Sequence, residues 1–417
     1  MIWPVTENKF VFRKFRIVTI LYKNILKIRN KSTPYRSLSS GTTSTTSNIS
    51  LNSETIKIQP KKILFFGTDN FSVATLKELH SWVILHNTKQ ENHNQSDIKQ
   101  SNNLCLEVCT SQMKHLIQPV KVYAEQESIP VHSWPPDPSN VIKQLDFDLG
   151  VVASFGHLIP KNIIDSFPLG MLNVHGSLLP RWRGASPIHH AILAGDKVTG
   201  ISIMEIKPHH FDVGNILATE SVNIGCDQTF TEVTNKLAKL GGKLMVKVIK
   251  DLESYRSKSV VQEESKVTYA PCINNSFYNI DWASSTSRDV YNQYRALSES
   301  GKLYSVWKDT DVKVMLVNCI RPEIVDRLDI TLENDNSPTP GRVRFVKIQS
   351  QKLEPNLKSS NKMERFICIK CKSGWIAFTH LYYGPNKLMS ALDYYNGYIS
   401  KNRTRPQYFV YKDAYRE

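Results

Sequence analysis

Short apolar runs alternate with helix-like patterns through the middle of this 417-residue chain, and this alternation restricts the fold more than any other feature. The run at residues 62–66 ends at Gly67, as a buried parallel strand would, and a helical pattern begins at Asn70. Similar strand-like runs follow at residues 104–110, 149–153, 171–174 and 201–206. Strands that alternate with helices indicate an α/β domain with a parallel sheet covered by helices.

The pattern changes beyond Trp282, where a helix-like stretch leads into several short strand-like runs with polar breaks. That pattern predicts a small β-barrel or sandwich. We therefore predict a leader at 1–55, an α/β domain at 56–256, a linker at 257–280 and a second domain at 281–417. Two polar segments without periodicity, 86–103 and 349–362, are predicted to be insertions, and the first a loop.

Basic residues are concentrated at the two ends of the chain. Residues 1–50 contain nine Lys and Arg and one acid, whereas residues 281–417 contain 22 basic and 15 acidic residues. Between them, residues 51–280 contain 22 of each and are neutral. The leader is amphipathic, basic and followed by Ser and Thr, which is typical of a mitochondrial transit peptide. A disordered basic arm is the alternative interpretation.

Several classes of protein are excluded or disfavoured. No stretch reaches the roughly 18 apolar residues of a membrane span, so we expect no integral membrane protein. Seven cysteines in a chain of this length favour a reducing compartment over a disulfide scaffold. Neither the G-x-G-x-x-G motif of dinucleotide sites nor the phosphate-binding P-loop motif occurs, so NAD and NTP chemistry lose support.

The densest group of polar and small residues runs from Asn173 to Gly184. Asn173 and His175 are two residues apart at the end of a predicted strand, so their side chains point the same way. An amide donor beside an imidazole can stabilise a developing oxyanion while a proton moves. A carboxylate at Asp212 would favour the charged imidazole and orient it. A structural polar pair is the alternative.

Other candidates have simpler explanations. Cys368 and Cys371 have a zinc-like spacing, but no second pair lies at the spacing of a zinc finger. The pairs His189-His190 and His209-His210 could ligate a metal, or lie on a helix surface and on the loop before Asp212. Arg181 and Arg183 could clamp a carboxylate or phosphate, or only cap the loop that carries them.

The segment Asn173–Gly184 resembles the core motif of the 10-formyltetrahydrofolate-dependent formyltransferases, and most closely that of the branch acting on methionyl-tRNA in mitochondria. The similarity extends along nearly the whole mature chain. Lys387–Ala391 matters most, because it lies in a C-terminal domain that tRNA formyltransferases carry and purine-pathway formyltransferases lack. Further matching segments are 63–68, 119–121, 152–156, 211–214, 268–271 and 281–282.

The resemblance implies a Rossmann-like parallel-sheet formyltransferase domain followed by a smaller C-terminal β-barrel (OB-like) domain. It assigns Asn173, His175 and Asp212 as catalytic, and needs no metal because the formyl group is already activated on the folate nitrogen. The residues expected to bind the folate are Phe155, Gly156, His157, Ser177, Leu178, Leu179 and Pro180. The residues expected to contact tRNA are Lys114, Lys121, Arg181, Arg183, Lys401, Arg403 and Arg405.

The implied partners are 10-formyltetrahydrofolate and initiator methionyl-tRNA, in the mitochondrial matrix, with the chain a monomer. The basic excess of residues 281–417 agrees with a polyanionic partner, since phosphates are neutralised by Lys and Arg. Two departures from the family are a weakly basic segment at 111–118 and Cys272, where Lys is expected. The alternatives are a formyltransferase for another amine, such as a nucleotide sugar, and a catalytically silent RNA-binding protein.

Overall fold

A computed structural model describes residues 59–93, 103–111, 118–135, 146–308, 312–327, 330, 339–349, 363–384, 387–400 and 407–411. The predicted leader lies outside these ranges, as do Lys114, Lys401, Arg403 and Arg405 and nearly all of the polar segment 349–362. Among the described residues, no helix is long and apolar enough to cross a membrane.

The first half of the described chain is built on a seven-stranded sheet of order β3-β2-β1-β4-β5-β6-β7. Strands β1 to β5 run parallel, and β6 and β7 run antiparallel to their neighbours. The chain builds β1 to β3 in one direction and then crosses to β4 on the other side of β1, which creates a switch point between β1 and β4. The strands are β1 Lys62–Gly67, β2 Cys105–Ser111, β3 Val131–Trp134, β4 Leu149–Ala153, β5 Met171–His175, β6 Val198–Glu205 and β7 Ile216–Asn223.

Two long helices cover one face of this sheet. The helices are α1 Asn70–His93, α2 Pro119–Gln126, α3 Lys161–Ile164, α4 Pro187–Leu193, α5 Phe230–Lys250 and α6 Leu252–Ser257. Helix α5 begins with the predicted capping box, in which Thr229 accepts from the Glu232 N–H and the Glu232 carboxylate accepts from the Thr229 N–H. Leu172 and Val174 of β5 belong to the same apolar cluster as α1 and α5.

Because side chains alternate across a strand, Asn173 and His175 lie on the other face of β5, with Met171. That face is covered by a smaller apolar cluster, which includes Phe66, Phe155 and Phe167. Strand β5 therefore presents its polar side chains away from the long helices.

The prediction of a loop beginning at residue 86 is wrong for its first part, because α1 continues to His93. The extension contains Lys, Gln and Glu, which are good helix formers even without an apolar face. Asn87 also fixes this turn of the helix, since its side chain exchanges two hydrogen bonds with the backbone of Leu104, at 3.0 and 2.9 Å.

The second half of the described chain forms an antiparallel sheet of order β10-β11-β12-β9-β8-β14, with β13 paired to β12. The sheet closes into a barrel, because Val343 N–H donates to the Gln407 carbonyl and Phe409 N–H donates to that of Gly341. Its strands are β8 Tyr304–Trp307, β9 Lys313–Ile320, β10 Val343–Gln349, β11 Met363–Lys370, β12 Trp375–Tyr383, β13 Lys387–Ser390 and β14 Phe409–Val410. Its helices are α7 Ser287–Leu297, α8 Pro322–Val325 and α9 Ala391–Tyr394, followed by a π-helical turn at Tyr395–Ile399.

The segment predicted as a linker follows α6 and lies along the first domain. Val260 exchanges two backbone hydrogen bonds with Ile216 at the start of β7, at 2.8 and 2.9 Å. Ala270 N–H donates to the Arg183 carbonyl, and Ser186 N–H donates to that of Ala270. We call residues 259–270 the strap segment; it includes a 3-10 turn at Glu264–Lys266, and another, Asn275–Tyr278, follows it.

Candidate active site

Asn173, His175 and Asp212 come together, as the sequence predicted. The Asn173 amide Nδ2 donates to Asp212 Oδ1 at 3.4 Å, and His175 Nδ1 lies 3.4 Å from the same oxygen. The His175 side chain is only 5% exposed and that of Asp212 is 9% exposed. Asn173 and His175 reach the site because they are two residues apart on β5, whereas Asp212 is supplied by the loop between β6 and β7.

The hydrogen bonds of His175 orient its ring. Nε2 lies 2.9 Å from the Trp182 carbonyl oxygen. A carbonyl can only accept, so Nε2 carries a hydrogen and donates it. Nδ1 is then the nitrogen that faces the Asp212 carboxylate.

Asp212 is held in an unusual backbone conformation. Its φ is +57°, a left-handed value that side-chain-bearing residues rarely adopt. Its Oδ2 accepts from the Gly184 N–H at 2.9 Å, which joins this loop to the motif after β5. Gly214 approaches the Glu205 carbonyl so closely that an added Cβ would lie 1.6 Å from the oxygen. Glycine at position 214 is therefore required for the loop to adopt this path.

The loop after β5 is fixed by buried polar contacts. Ser202 Oγ on β6 donates to the Ser177 carbonyl at 2.7 Å and accepts from the Leu179 N–H at 3.0 Å. Ser177 is fully buried, and its hydroxyl donates to the Arg181 carbonyl at 2.6 Å. Of the folate residues predicted in this loop, Ser177 and Leu179 thus face the protein, while Leu178 and Pro180 are half-buried.

The loop after β4 contains the other predicted folate residues. Phe155 is buried against Phe66 and Trp134, so it supports the loop from beneath. Gly156 is exposed, with a φ of +73°, and a Cβ added there would have no atom within 4 Å, which leaves its backbone open to a ligand. His157 is half-buried, and burial lowers the pKa of its imidazole.

Contacts with the loop after β1 hold this second loop in place. Thr68 Oγ1 donates to the Ser154 carbonyl at 2.7 Å, and Ser154 Oγ donates to Asp69 Oδ2 at 2.5 Å. These contacts cross the switch point between β1 and β4. Open α/β sheets bind their ligands at that place.

The two arginines of the motif have different roles. Arg181 is 45% exposed and makes two hydrogen bonds to Asp196, at 2.9 and 2.7 Å. Arg183 is 5% exposed, and its guanidinium donates to Gln262 and Glu264 of the strap segment. Arg183 is therefore placed to hold the strap segment, and Arg181 is the one that presents charge to solvent. Lys121, also predicted to contact tRNA, is exposed on α2 and lies 3.7 Å from Glu125.

The other sequence candidates are dispersed. His189 stacks on Phe230 with ring centroids 3.7 Å apart, and His190 Nε2 donates to the Pro271 carbonyl at 3.0 Å. Cys368 and Cys371 belong to different apolar clusters. In the described ranges, no group of three or more His, Cys, Asp or Glu side chains is placed to hold a metal ion.

Three further residues shape the site. Trp182 supplies the carbonyl that binds His175, and its indole N–H donates to Asp196 at 2.8 Å. Thr268 Oγ1 accepts from the Trp182 N–H at 2.9 Å, and Gln262 donates to the Asp212 carbonyl at 2.8 Å. Trp182 and Thr268 lie in segments that resemble the family, although no role was predicted for either side chain. Gln262 was not indicated, because no local pattern distinguishes it from an ordinary linker residue.

The fold is that of an α/β enzyme with a cluster of Asn, His and Asp side chains near the switch point of a parallel sheet and with a second, β-barrel domain. The family model described as "Formyl transferase" matches residues 61–249. The model described as "Formyl transferase, C-terminal domain" matches residues 273–399. The chain belongs to the formyl transferase family.

Curated relatives include mitochondrial enzymes. The chain is 36% identical over 343 residues to the mitochondrial methionyl-tRNA formyltransferase of Bos taurus, covering 82% of this chain and 78% of the bovine protein. Identity to the Homo sapiens protein of the same name is 35%, with the same coverage. The methionyl-tRNA formyltransferase of Prochlorococcus marinus is 29% identical over 325 residues, or 73% of this chain and 92% of that protein.

Solved structures that match the chain include formyltransferases. The sugar 3N-formyl transferase WlaRD matches with a TM-score of 0.45 and 16% identity, covering 76% of this chain and 97% of its own. A 4-N formyltransferase from Francisella tularensis matches with a TM-score of 0.46 and 21% identity, covering 62% and 96%.

Proposed function

We propose that this chain transfers the formyl group of 10-formyltetrahydrofolate to the α-amine of initiator methionyl-tRNA in mitochondria. The observation that carries the proposal is the Asn173, His175 and Asp212 cluster, found in a chain that matches both the catalytic and the C-terminal formyl transferase models. The substrate assignment is supported by relatives named mitochondrial methionyl-tRNA formyltransferase at 35–36% identity. The basic leader, with its Ser- and Thr-rich continuation, supports the mitochondrial location.

The reaction begins when the amine nitrogen attacks the formyl carbon and the formyl oxygen becomes an oxyanion. Asn173 is suited to stabilise that charge, because its amide has two N–H donors and only one is directed at Asp212. The second hydrogen is available to the formyl oxygen. A positioned donor of this kind is typically worth about 2.7–4 kcal/mol of transition-state stabilisation.

His175 and Asp212 then assist the proton transfer. A protonated imidazole adds positive charge close to the oxyanion, while Asp212 accepts from Gly184 and fixes the ring. The attacking amine nitrogen loses a proton. The bond between the formyl carbon and the folate nitrogen then breaks, and the folate nitrogen takes up a proton. The products are formylmethionyl-tRNA and tetrahydrofolate.

The loop from Ser154 to Pro160 fits a folate in its local chemistry. Gly156 leaves its backbone open, His157 offers a neutral imidazole at pH 7, and Leu158 is 47% exposed beside them. An apolar surface with backbone polar groups suits a flat pterin ring. The loop precedes α3 and lies at the same edge of the sheet as Asn173.

The C-terminal barrel offers a surface of the kind that binds nucleic acid. Lys313 Nζ lies 3.5 Å from the centre of the Tyr304 ring, and Lys302 Nζ lies 4.0 Å from that of Tyr382. Lys302 and Lys313 are exposed and can neutralise phosphates, whereas the Tyr304 ring is 5% exposed and supports Lys313 rather than stacking on a base. Arg181, exposed beside the catalytic motif, can meet the acceptor end of the tRNA.

The proposal is tested with the full chain, 10-formyltetrahydrofolate and methionylated initiator tRNA, by following formyl transfer to the amino group. We expect transfer to the charged tRNA only, and a loss of at least about 100-fold in kcat for Asn173→Ala and for His175→Ala. Lys239→Ala, at an exposed position of α5 with no predicted role in binding, serves as the control for Asn173 and His175. Equal consumption of the folate without tRNA would point to a small amine as substrate instead. Binding of tRNA without turnover would contradict the enzyme assignment.

A further inference from the structure

Gln262 joins the two loops that carry the catalytic groups. Its amide nitrogen donates to the carbonyls of Asp212 and Gly214, both at 2.8 Å. Its amide oxygen accepts from Arg183 Nε at 2.9 Å. The residue is only 6% exposed, so these three bonds are sheltered from water.

The loop that Gln262 binds is the one that needs support. Asp212 has a left-handed φ of +57°, and a conformation of this kind persists only when its surroundings hold it there. The Gln262 bonds fix the peptide group that follows Asp212 and the one that follows Gly214, and through them the direction of the Asp212 carboxylate. Without them, both carbonyls would lose their donor from this side chain in a place that is largely sheltered from water, which disfavours the present path of the loop.

The rest of the strap segment keeps Gln262 in position. Val260 pairs with Ile216 on one side of it, and Glu264 pairs with Arg183 on the other, at 2.8 Å. Thr268 accepts from the Trp182 N–H, and the Trp182 carbonyl in turn binds His175. The strap segment therefore contacts the backbone of Asp212 directly, and it also contacts the backbone of Trp182, which is the hydrogen-bond partner of His175.

We infer that Gln262 is a positioning residue for catalysis: it holds the Asp212 carboxylate in register with His175 by fixing the backbone of the Asp212 loop. The inference rests on the proposed function, since it takes Asp212 to act in formyl transfer. Gln262 touches no reacting atom and acts only through Asp212. Misplacement of a catalytic group by about 1 Å can lower a rate 100-fold.

The test compares two substitutions that remove different bonds. Gln262→Met keeps the volume and removes all three hydrogen bonds. Gln262→Glu keeps an oxygen for Arg183 but removes both donors to the Asp212 loop. If the residue only anchored Arg183, Gln262→Glu would restore activity. We expect both variants to lower kcat about 10- to 100-fold, with KM for the folate and for methionyl-tRNA changed less than threefold.

Glu263→Gln is the matched control, because Glu263 is the exposed neighbour of Gln262 and pairs only with nearby surface groups. We expect it to keep wild-type kcat. A double variant, Gln262→Met with Asp212→Asn, should be no slower than Asp212→Asn alone, because groups acting as a unit are not additive. Wild-type kcat in Gln262→Glu, or multiplied losses in the double variant, would overturn the inference.

Amide hydrogen exchange gives a readout that does not depend on turnover. We expect faster exchange at residues 211–215 in both Gln262 variants and unchanged exchange in the strands of the sheet. Unchanged exchange at 211–215 would overturn the positioning role, whatever the activity. If the wild-type chain does not formylate methionyl-tRNA, the proposed function fails. The exchange data then still decide whether Gln262 holds the Asp212 loop.

Discussion

Left-handed backbone is concentrated around the catalytic cluster. Ser154, Trp182 and Asp212 have φ values of +45°, +64° and +57°, and each lies on a different loop at the active site. Such conformations cost of order 1–3 kcal/mol each. Each is restrained by named bonds: Ser154 by Thr68 and Asp69, Trp182 by Thr268, and Asp212 by Gln262 and Gly184. Hydrogen bonds, most of them to residues distant in the sequence, thus stabilise these strained conformations and fix the shape of the site.

His189 makes the stability of the protein depend on pH. Burial, aided by the charge of His190, lowers its pKa from 6.5 to about 4. The unfolded chain therefore binds more protons between about pH 6.5 and 4, so stability is complete above that window and falls as pH falls through it. The slope reaches at most about 1.4 kcal/mol per pH unit. We expect His189→Phe, which keeps the stacking on Phe230, to reduce this loss.

The measurement is the free energy of unfolding in urea at pH 7.5 and pH 5.0 for the wild type, His189→Phe and the exposed control His210→Gln. The control should lose as much stability on acidification as the wild type. An equal loss in His189→Phe would show that another group causes the pH dependence.

Residue-level prediction succeeded where the signal is local. The two-residue spacing of Asn173 and His175 correctly placed both on one face of a strand. Asp212 is 37 residues further along the chain, and its role came from the family resemblance. Gln262 could not be predicted, because its bonds reach back 50 and 79 residues and leave no periodic trace in the sequence. Arg183 looked like a surface cation for the same reason: its acidic and amide partners lie in a distant segment.

At the scale of elements, the packing of α5 on β5 links the core to the site. Strands and the capped helix α5 were predictable because burial imposes a period of two or about 3.6 residues. The turns of α1 beyond residue 85 were missed because the sequence of residues 86–93 contains no apolar residue and so has no helical periodicity. The close contact of α5 with β5 was also unpredictable, since it depends on a glycine, Gly241, in the middle of a helix. The next residue, Gly242, allows a close contact with Thr75 and Glu78 of α1 instead.

Replacement of Gly241 by alanine is predicted to destabilise the protein, although alanine is the better helix former. A Cβ at this position would lie 2.6 Å from Val174 Cγ1, and a valine side chain has little rotational freedom. Gly241→Ala should gain about 1 kcal/mol of helix propensity but lose more through overpacking, for a net destabilisation of about 1–2 kcal/mol. Because Val174 lies between Asn173 and His175, we also expect kcat to fall.

Asn235→Ala, at an exposed position of the same helix, is the matched control and should stabilise by a few tenths of a kcal/mol. Calorimetry and steady-state kinetics on both variants make the comparison. A stabilised, fully active Gly241→Ala protein would refute the close packing of α5 on β5.

At the scale of the whole molecule, two arginines cross from the C-terminal domain to the turn before α5. Arg295 is 5% exposed and donates to the carbonyls of Gly225 and Gln228, at 3.3 and 3.0 Å. Arg321 is 45% exposed and donates to Asp227 at 2.8 Å. The two contacts span the same boundary and differ mainly in their access to water.

The difference in exposure between the two arginines predicts that their removal will lower the stability of the protein by unequal amounts. Arg295→Met removes a buried charged donor from two partly buried carbonyls and should destabilise the protein by about 2–3 kcal/mol. Arg321→Met removes an exposed ion pair and should cost less than about 1 kcal/mol. Calorimetry of the two variants tests this order. Equal losses of stability in the two variants would show that the burial of the arginine does not determine how strongly each contact stabilises the domain boundary.

The strap segment changes where this enzyme can be divided. Its residues close the active site from beyond the last helix of the α/β domain, so a catalytic fragment ending at Arg256 would lack Gln262 and Thr268 and the bonds they make to Asp212 and Trp182. Recombination that exchanges the C-terminal barrel can therefore preserve the chemistry only at a crossover beyond Ala270. The part of the chain that catalysis needs is therefore longer than the α/β domain itself. A designer who grafts a new barrel onto this domain should retain the strap segment.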